Sequence, residues 1–145
     1  MNIQIQDIAE SWLTVYEPPP RVTVSEWADQ YRFLSPESSG QPGKYSSDLT
    51  PYAREWMDSI NDPEATGTVL MVGAQLGKTE VLNNMIGYFV DVEPSPMLMV
   101  QPTIEMGEAW SKERLAPMCR DTPRIKDKIA DVKSRTSGNT ILHKT

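Results

Sequence analysis

The run TVLMVGAQLGKTEVLNNMIGYFV, residues 68–90, constrains this chain more than any other stretch. The segment TGTVLMVG (66–73) is apolar and β-branched without alternation, as in a strand covered on both faces in a parallel sheet. After it, Val81, Leu82, Met85, Ile86 and Phe89 recur at helical spacing. The glycine-bearing turn GAQLGKT lies between. A turn of this kind brings backbone N–H groups inward and aims the positive end of a helix at the same point, an arrangement that suits a polyphosphate. Gly77 lets the backbone approach closely. Lys78 supplies a mobile charge for the β and γ phosphates, and the Thr79 hydroxyl completes the shell of a Mg²⁺ bridging those oxygens. Gly73, Ala74, Gln75, Leu76, Gly77, Lys78 and Thr79 are therefore the expected nucleotide-phosphate residues, with Lys78 the catalytic one and Thr79 the metal ligand. Val72 stands where the common G-x-x-x-x-G-K-[ST] pattern begins with Gly, so the loop reads G-x-x-x-G-K-T. The plainer alternative is a tight strand-to-helix turn with an exposed lysine.

Around this unit the chain alternates. TVSEWADQYRFL carries a capping box, Thr23 with Glu26, and places Trp27, Tyr31 and Leu34 at helical spacing. Pro18, Pro19 and Pro20 separate it from a short amphipathic start. SPESSGQPGKYSSDLT (35–50) reads as a long surface loop. A helix starting at Pro51 puts Tyr52, Trp56, Met57 and Ile60 on one stripe and ends at Asn61, Asp62 and Pro63. MLMVQ (97–101) reads as a second buried strand, and a helix runs from Thr103 through Met118 with Met106, Ala109 and Trp110 inward. Pro117 and Pro123 interrupt that pattern, RIKDKIADV resumes it, and TILHKT reads as a last strand. The expected class is α/β: an incomplete parallel sheet of the P-loop NTPase kind with flanking helices, preceded by an N-terminal helical segment. Residues 1–50 form that segment and its loop, and 51–145 the front section of the nucleotide-binding domain.

Composition narrows the function. One cysteine, Cys119, and one histidine, His143, exclude an intrachain disulfide and a zinc finger. No apolar run approaches the ~20 residues that span a bilayer, and the first residues lack a signal-peptide pattern, so a cytoplasmic protein without membrane contact is expected. The net charge of -6 repels a phosphate backbone, yet its distribution is uneven: five Lys/Arg face sixteen Asp/Glu up to Trp110, and nine face four beyond it. Alternating signs in SKER and RIKDKIADVK read first as a solvated helix face, with a nucleic-acid contact as the second reading.

SEWADQYRFLSPESSGQPGKY, PYAREWMDSINDP, VGAQLGKTE and QPTIEMGEAWSKERLAPM, in this order, resemble the N-terminal part of the phage terminase large subunit, in its lambda-like branch. The resemblance covers nearly everything from Ser25 onward. It implies an ATP- and Mg²⁺-using motor that packages double-stranded DNA into procapsids, with the small terminase subunit and the portal as partners, in an infected or prophage-carrying bacterial cytoplasm. Ala74 departs from the family, which often carries a basic residue there. The resemblance makes Tyr52 and Arg54 adenine-pocket residues, Tyr52 to stack and Arg54 to bond base or phosphates; a simple helix stripe with Trp56 stands equally for Tyr52. It gives Gln101 and Thr103 a coupling or DNA-facing role, against which Thr103 reads as a plain helix cap.

The acidic residue that would hold Mg²⁺ at a strand end and the glutamate that would activate water have no counterpart here. Glu80 falls in the first turn of a helix, where it complements the dipole. The chain is thus expected to bind ATP–Mg²⁺ weakly without turnover, and its unpaired sheet edge to favour self-association. The alternative is a non-catalytic remnant or interaction module that docks another terminase component.

Overall fold

The computed structural model describes residues 22–129 and 140–142. The amphipathic start, Pro18–Pro20 and residues 143–145 of the expected last strand lie outside these residues, and its described half, 140–142, is not in a strand.

Helix α1 (Val24–Tyr31) begins as its capping box predicts: Thr23 Oγ1 accepts the Glu26 N–H at 3.3 Å and Glu26 Oε2 accepts the Thr23 N–H at 2.9 Å. Its remaining early amides are met from elsewhere, Val24 N–H by Asn61 Oδ1 at 3.1 Å and Ser25 N–H by Asp58 Oδ1 at 2.8 Å. Every orphan donor at this helix start is thereby satisfied, and the partners tie α1 to the end of α2 (Tyr52–Asp58) and to the 3₁₀ turn Ser59–Asn61. The third long element, α3 (Lys78–Asp91), packs on both.

The core lies where these three helices meet. Val24, Trp27 and Ala28 of α1, Ala53 and Met57 of α2, and Val81, Met85 and Tyr88 of α3 are buried there with Tyr45, Leu115, Met118 and Ile125. Gly87 lets α3 approach the Trp27 indole. A Cβ at that position would stand 2.3 Å from Trp27 Cη2, well inside contact distance.

The buried stripes are rotated from those the periodicity predicts. Tyr52 and Ile60 are exposed, while Ala53 and Met57 face inward. On α3, Leu82 is exposed and Ile86 and Phe89 are half-buried, whereas Asn83 and Asn84 are fully buried. Each asparagine finds one contact, Asn83 Nδ2 with Glu80 Oε1 at 3.3 Å and Asn84 Nδ2 with the Met57 sulfur at 3.3 Å, while both Oδ1 atoms are buried without a partner among the described residues. Leu34 leaves the helix for strand β1 (Phe33–Leu34), which pairs antiparallel with β2 (Gly43–Lys44) in the register Phe33 to Lys44. The segment expected as surface loop thus contributes a strand, a 3₁₀ turn (Ser47–Leu49) and two fully buried serines, Ser35 and Ser47.

The two apolar runs differ most from expectation. Residues 67–73 and 97–101 join no ladder, and β1–β2 is the one sheet among the described residues. Val69 is 92% exposed, Met71 95% and Leu98 88%. A strand covered on both faces needs neighbours on each side, and here neither run has one. Behind them, Ile86, Phe89, Met97, Trp110 and Leu142 line a hollow of about 560 Å³.

The helix from Thr103 is also interrupted. Thr103 Oγ1 caps α4 (Ile104–Trp110) by accepting the Met106 N–H at 3.2 Å. Met106 and Ala109 are exposed and only Trp110 turns towards the core. A π turn (Ser111–Leu115) follows, in which the Ala116 N–H reaches back to Ser111 O, and α5 (Ala116–Asp121) completes the run. Pro117 has no N–H and its ring crowds the preceding turn, so the ladder widens just ahead of it. After Thr122, residues 123–128 form turns in place of the resumed helix.

Candidate functional site

Residues 73–79 link the unpaired run 67–72 to the start of α3, and all but Lys78 are exposed. The backbone bends twice into the left-handed region, at Gln75 (φ 59°) and Gly77 (φ 80°). Glycine adopts this conformation freely. Gln75 does not, and about 1 kcal/mol of local strain is held there. Alternation of right- and left-handed residues makes successive N–H groups converge, the geometry of an anion-binding nest.

The start of α3 contrasts with that of α1. Gly77 has no side chain to cap it, and the N–H groups of Gln75, Gly77, Lys78, Thr79 and Glu80 meet no protein acceptor among the described residues. The first closed bond of this turn is Val81 N–H to Gly77 O at 3.0 Å. The positive end of a fourteen-residue helix therefore stands open towards the loop. Lys78 curls over it, its Nζ donating to Gly73 O at 2.6 Å and Val72 O at 3.3 Å. The ammonium rests on carbonyls of the loop itself, which an incoming anion would replace at little cost in geometry. Thr79 is exposed and its hydroxyl has no partner among the described residues. Ala74 and Leu76 contribute backbone, and the Leu76 side chain folds to within 3.5 Å of a Cβ placed on Gly73.

Arg54 and Tyr52, for which the resemblance implies an adenine pocket, are in contact with other side chains. Arg54 Nε donates to Ser47 Oγ at 2.6 Å, and its Nη2 pairs with Asp48 and lies 4.0 Å from Asp29. The exposed Tyr52 ring meets Trp56 with centroids 4.9 Å apart. Thr103 acts as the cap of α4, while Gln101 borders the hollow behind α3. The basic residues after Trp110 are largely matched by acids or carbonyls: Lys112 by Glu108, Arg120 by Asp121 and Glu37, Arg124 and Lys128 by Asp91, and Arg114 by Ser38 O.

One residue that spacing and motif logic did not single out lies directly against the site. Arg32, between α1 and β1, is buried, and its Nη2 bonds Glu80 Oε2 at 3.1 Å. Burial pulls its guanidinium below the ordinary value, against the opposing pull of Glu80. Its Nε has no partner among the described residues. Arginine is so rarely interior that nothing in YRFL signals it.

Among the described residues no group of three His, Cys, Asp or Glu side chains could hold a metal ion. The Thr79 hydroxyl fits a Mg²⁺ held chiefly by nucleotide phosphate oxygens and water, the usual mode for that ion. No helix among the described residues is long and apolar enough to cross a membrane.

Comparison with known proteins agrees with the resemblance. The terminase large subunit of Enterobacteria phage P21 is 29% identical over 118 residues, 81% of this chain and 18% of that protein. The terminase large subunit of Escherichia phage lambda is 26% identical over 112 residues, 77% of this chain and 17% of that protein. The chain thus spans less than a fifth of the length of these relatives. No solved structure matches it significantly. The family described as phage terminase large subunit gpA, ATPase domain, matches residues 39–145, and the chain belongs to that family.

Proposed function

We propose that the loop 73–79 binds the triphosphate of ATP with Mg²⁺, and that this chain is the nucleotide-binding front section of a motor packaging double-stranded DNA into procapsids. The observation that carries the reading is the uncapped start of α3, where four loop and helix amides, Gln75, Gly77, Lys78 and Thr79, stand open beside the Lys78 ammonium. The start of α1 is closed by Thr23, Asn61 and Asp58 and that of α4 by Thr103, whereas an open start of this length suits an anion. Lys78 would exchange its carbonyl contacts for phosphate oxygens. Thr79 would supply the one protein oxygen to a Mg²⁺, which when bound neutralises charge between the β and γ phosphates.

The parallel sheet belongs to the same proposal. Residues 67–72 and 97–101 are the strands it requires, and their exposed Val69, Met71, Leu98 and Val100 are the side chains such a sheet buries. The small terminase subunit, the portal and DNA are the partners expected of the complete motor, in the bacterial cytoplasm.

Titration of a fluorescent ATP analogue, with and without Mg²⁺, tests the reading. Wild type is expected to bind more tightly with Mg²⁺, and Lys78→Ala to lose about a hundredfold in affinity, the order expected for a charge-assisted phosphate contact. Equal binding by the two proteins would refute nucleotide recognition here. Phosphate release by pure wild type that Lys78→Ala abolishes would refute the expected lack of turnover.

A further inference from the structure

Glu80 is the third residue of α3, the position from which a capping-box carboxylate turns back to the residue that starts the helix. Gly77 has no side chain to reciprocate, and the Glu80 carboxylate goes the other way. Its Oε2 accepts from Arg32 Nη2 at 3.1 Å, and its Oε1 accepts from Asn83 Nδ2 at 3.3 Å, one turn further along the helix. This direction has an electrostatic consequence. A carboxylate in the first turn stabilises a bare helix, but it also repels any anion seated on the same amides.

Arg32 cancels that charge from the interior. Its side chain is 1% exposed, and its Nη1 is held by Thr122 Oγ1 at 3.4 Å and by Phe33 O. Desolvating a guanidinium is costly, and here one of its donors, Nε, is left unpaired. Stability alone would be served as well by replacing Arg32 and Glu80 together with apolar side chains, so the buried pair is weak evidence for a purely structural role.

We propose that Arg32 is a positioning residue for anion binding at the loop, neutralising Glu80 and holding its carboxylate away from the open amides of Gln75, Gly77, Lys78 and Thr79. The inference rests on the nucleotide reading above. It adds a residue that precedes both the loop and the matched region 39–145.

The test is titration of the fluorescent ATP analogue at low salt against wild type, K78A, R32Q, R32K, E80A and R32Q/E80Q, with the melting temperature of each recorded. R32Q is expected to weaken binding roughly tenfold, as an uncancelled charge a few ångströms from the anion would. R32K, which keeps the cation, is expected to stay within about threefold of wild type. R32Q/E80Q is expected to bind within about twofold of wild type although its melting temperature stays low, a recovery that a structural role alone does not produce. E80A is expected to bind at least as tightly as wild type, and it decides the matter if R32Q does not fold. Wild-type affinity in R32Q, no recovery in the double variant, or weakened binding by E80A would overturn the inference while leaving the nucleotide reading in place. If wild type fails to bind, or K78A binds equally well, the nucleotide reading falls and takes the inference with it.

Discussion

Asp91, at the end of α3, gathers three donors on one fully covered carboxylate: Trp27 Nε1 and Arg124 Nε at 2.8 Å each, and Lys128 Nζ at 2.5 Å. Burial pushes this carboxyl up, but the hydrogen bonds from Lys128, Trp27 and Arg124 outweigh it and hold the group below its ordinary value. A depressed folded value contributes stability that is complete above the unfolded carboxylate range of about 4 and is lost as pH falls through the folded value. Asp91→Asn should therefore lower stability at pH 7 by about 2 kcal/mol, between the figures for exposed and buried pairs. Urea unfolding of the two proteins should show that gap closing below about pH 4. A gap of constant size down to pH 2 would contradict the role given to the charge.

At the level of elements, what the sequence made legible was local. The Thr23–Glu26 capping box, the Thr103 cap, and a helix beginning immediately after Gly77 are each written in a few adjacent residues. Thr23→Ala should cost about 1 kcal/mol in urea unfolding, because the Glu26 amide loses its acceptor. An unchanged midpoint would mean that Asp58 and Asn61 suffice to close the start of α1. What depended on distant partners was not legible. Leu82 is exposed while Asn84 is buried against Met57 of α2, and helical periodicity carries no record of that neighbour. The turn into α3 was readable from GAQLGKT, whereas Arg32 reaches Glu80 across forty-eight positions and left no local trace.

On the scale of the molecule, the described residues divide into a closed side and an open one. α1, α2 and α3 share the core, whereas Val69, Met71, Leu98, Val100 and Ile104 are exposed, Leu98 at the edge of the hollow behind α3. Exposed apolar side chains on extended runs without ladder partners drive association. Sedimentation velocity should show wild type growing beyond a monomer as concentration rises, and Met71→Lys with Leu98→Lys should suppress the larger species. A wild type that stays monomeric at high concentration would argue that the open side is harmless in water.

The two ends of α3 are gripped by different hands. Arg32 holds its first turn through Glu80, and Trp27, Arg124 and Lys128 hold its last residue, about 20 Å away for a helix of fourteen residues. A rod clamped in this way bends little, so its first turn beside the loop and the Trp27 indole at its far end are held at a fixed separation.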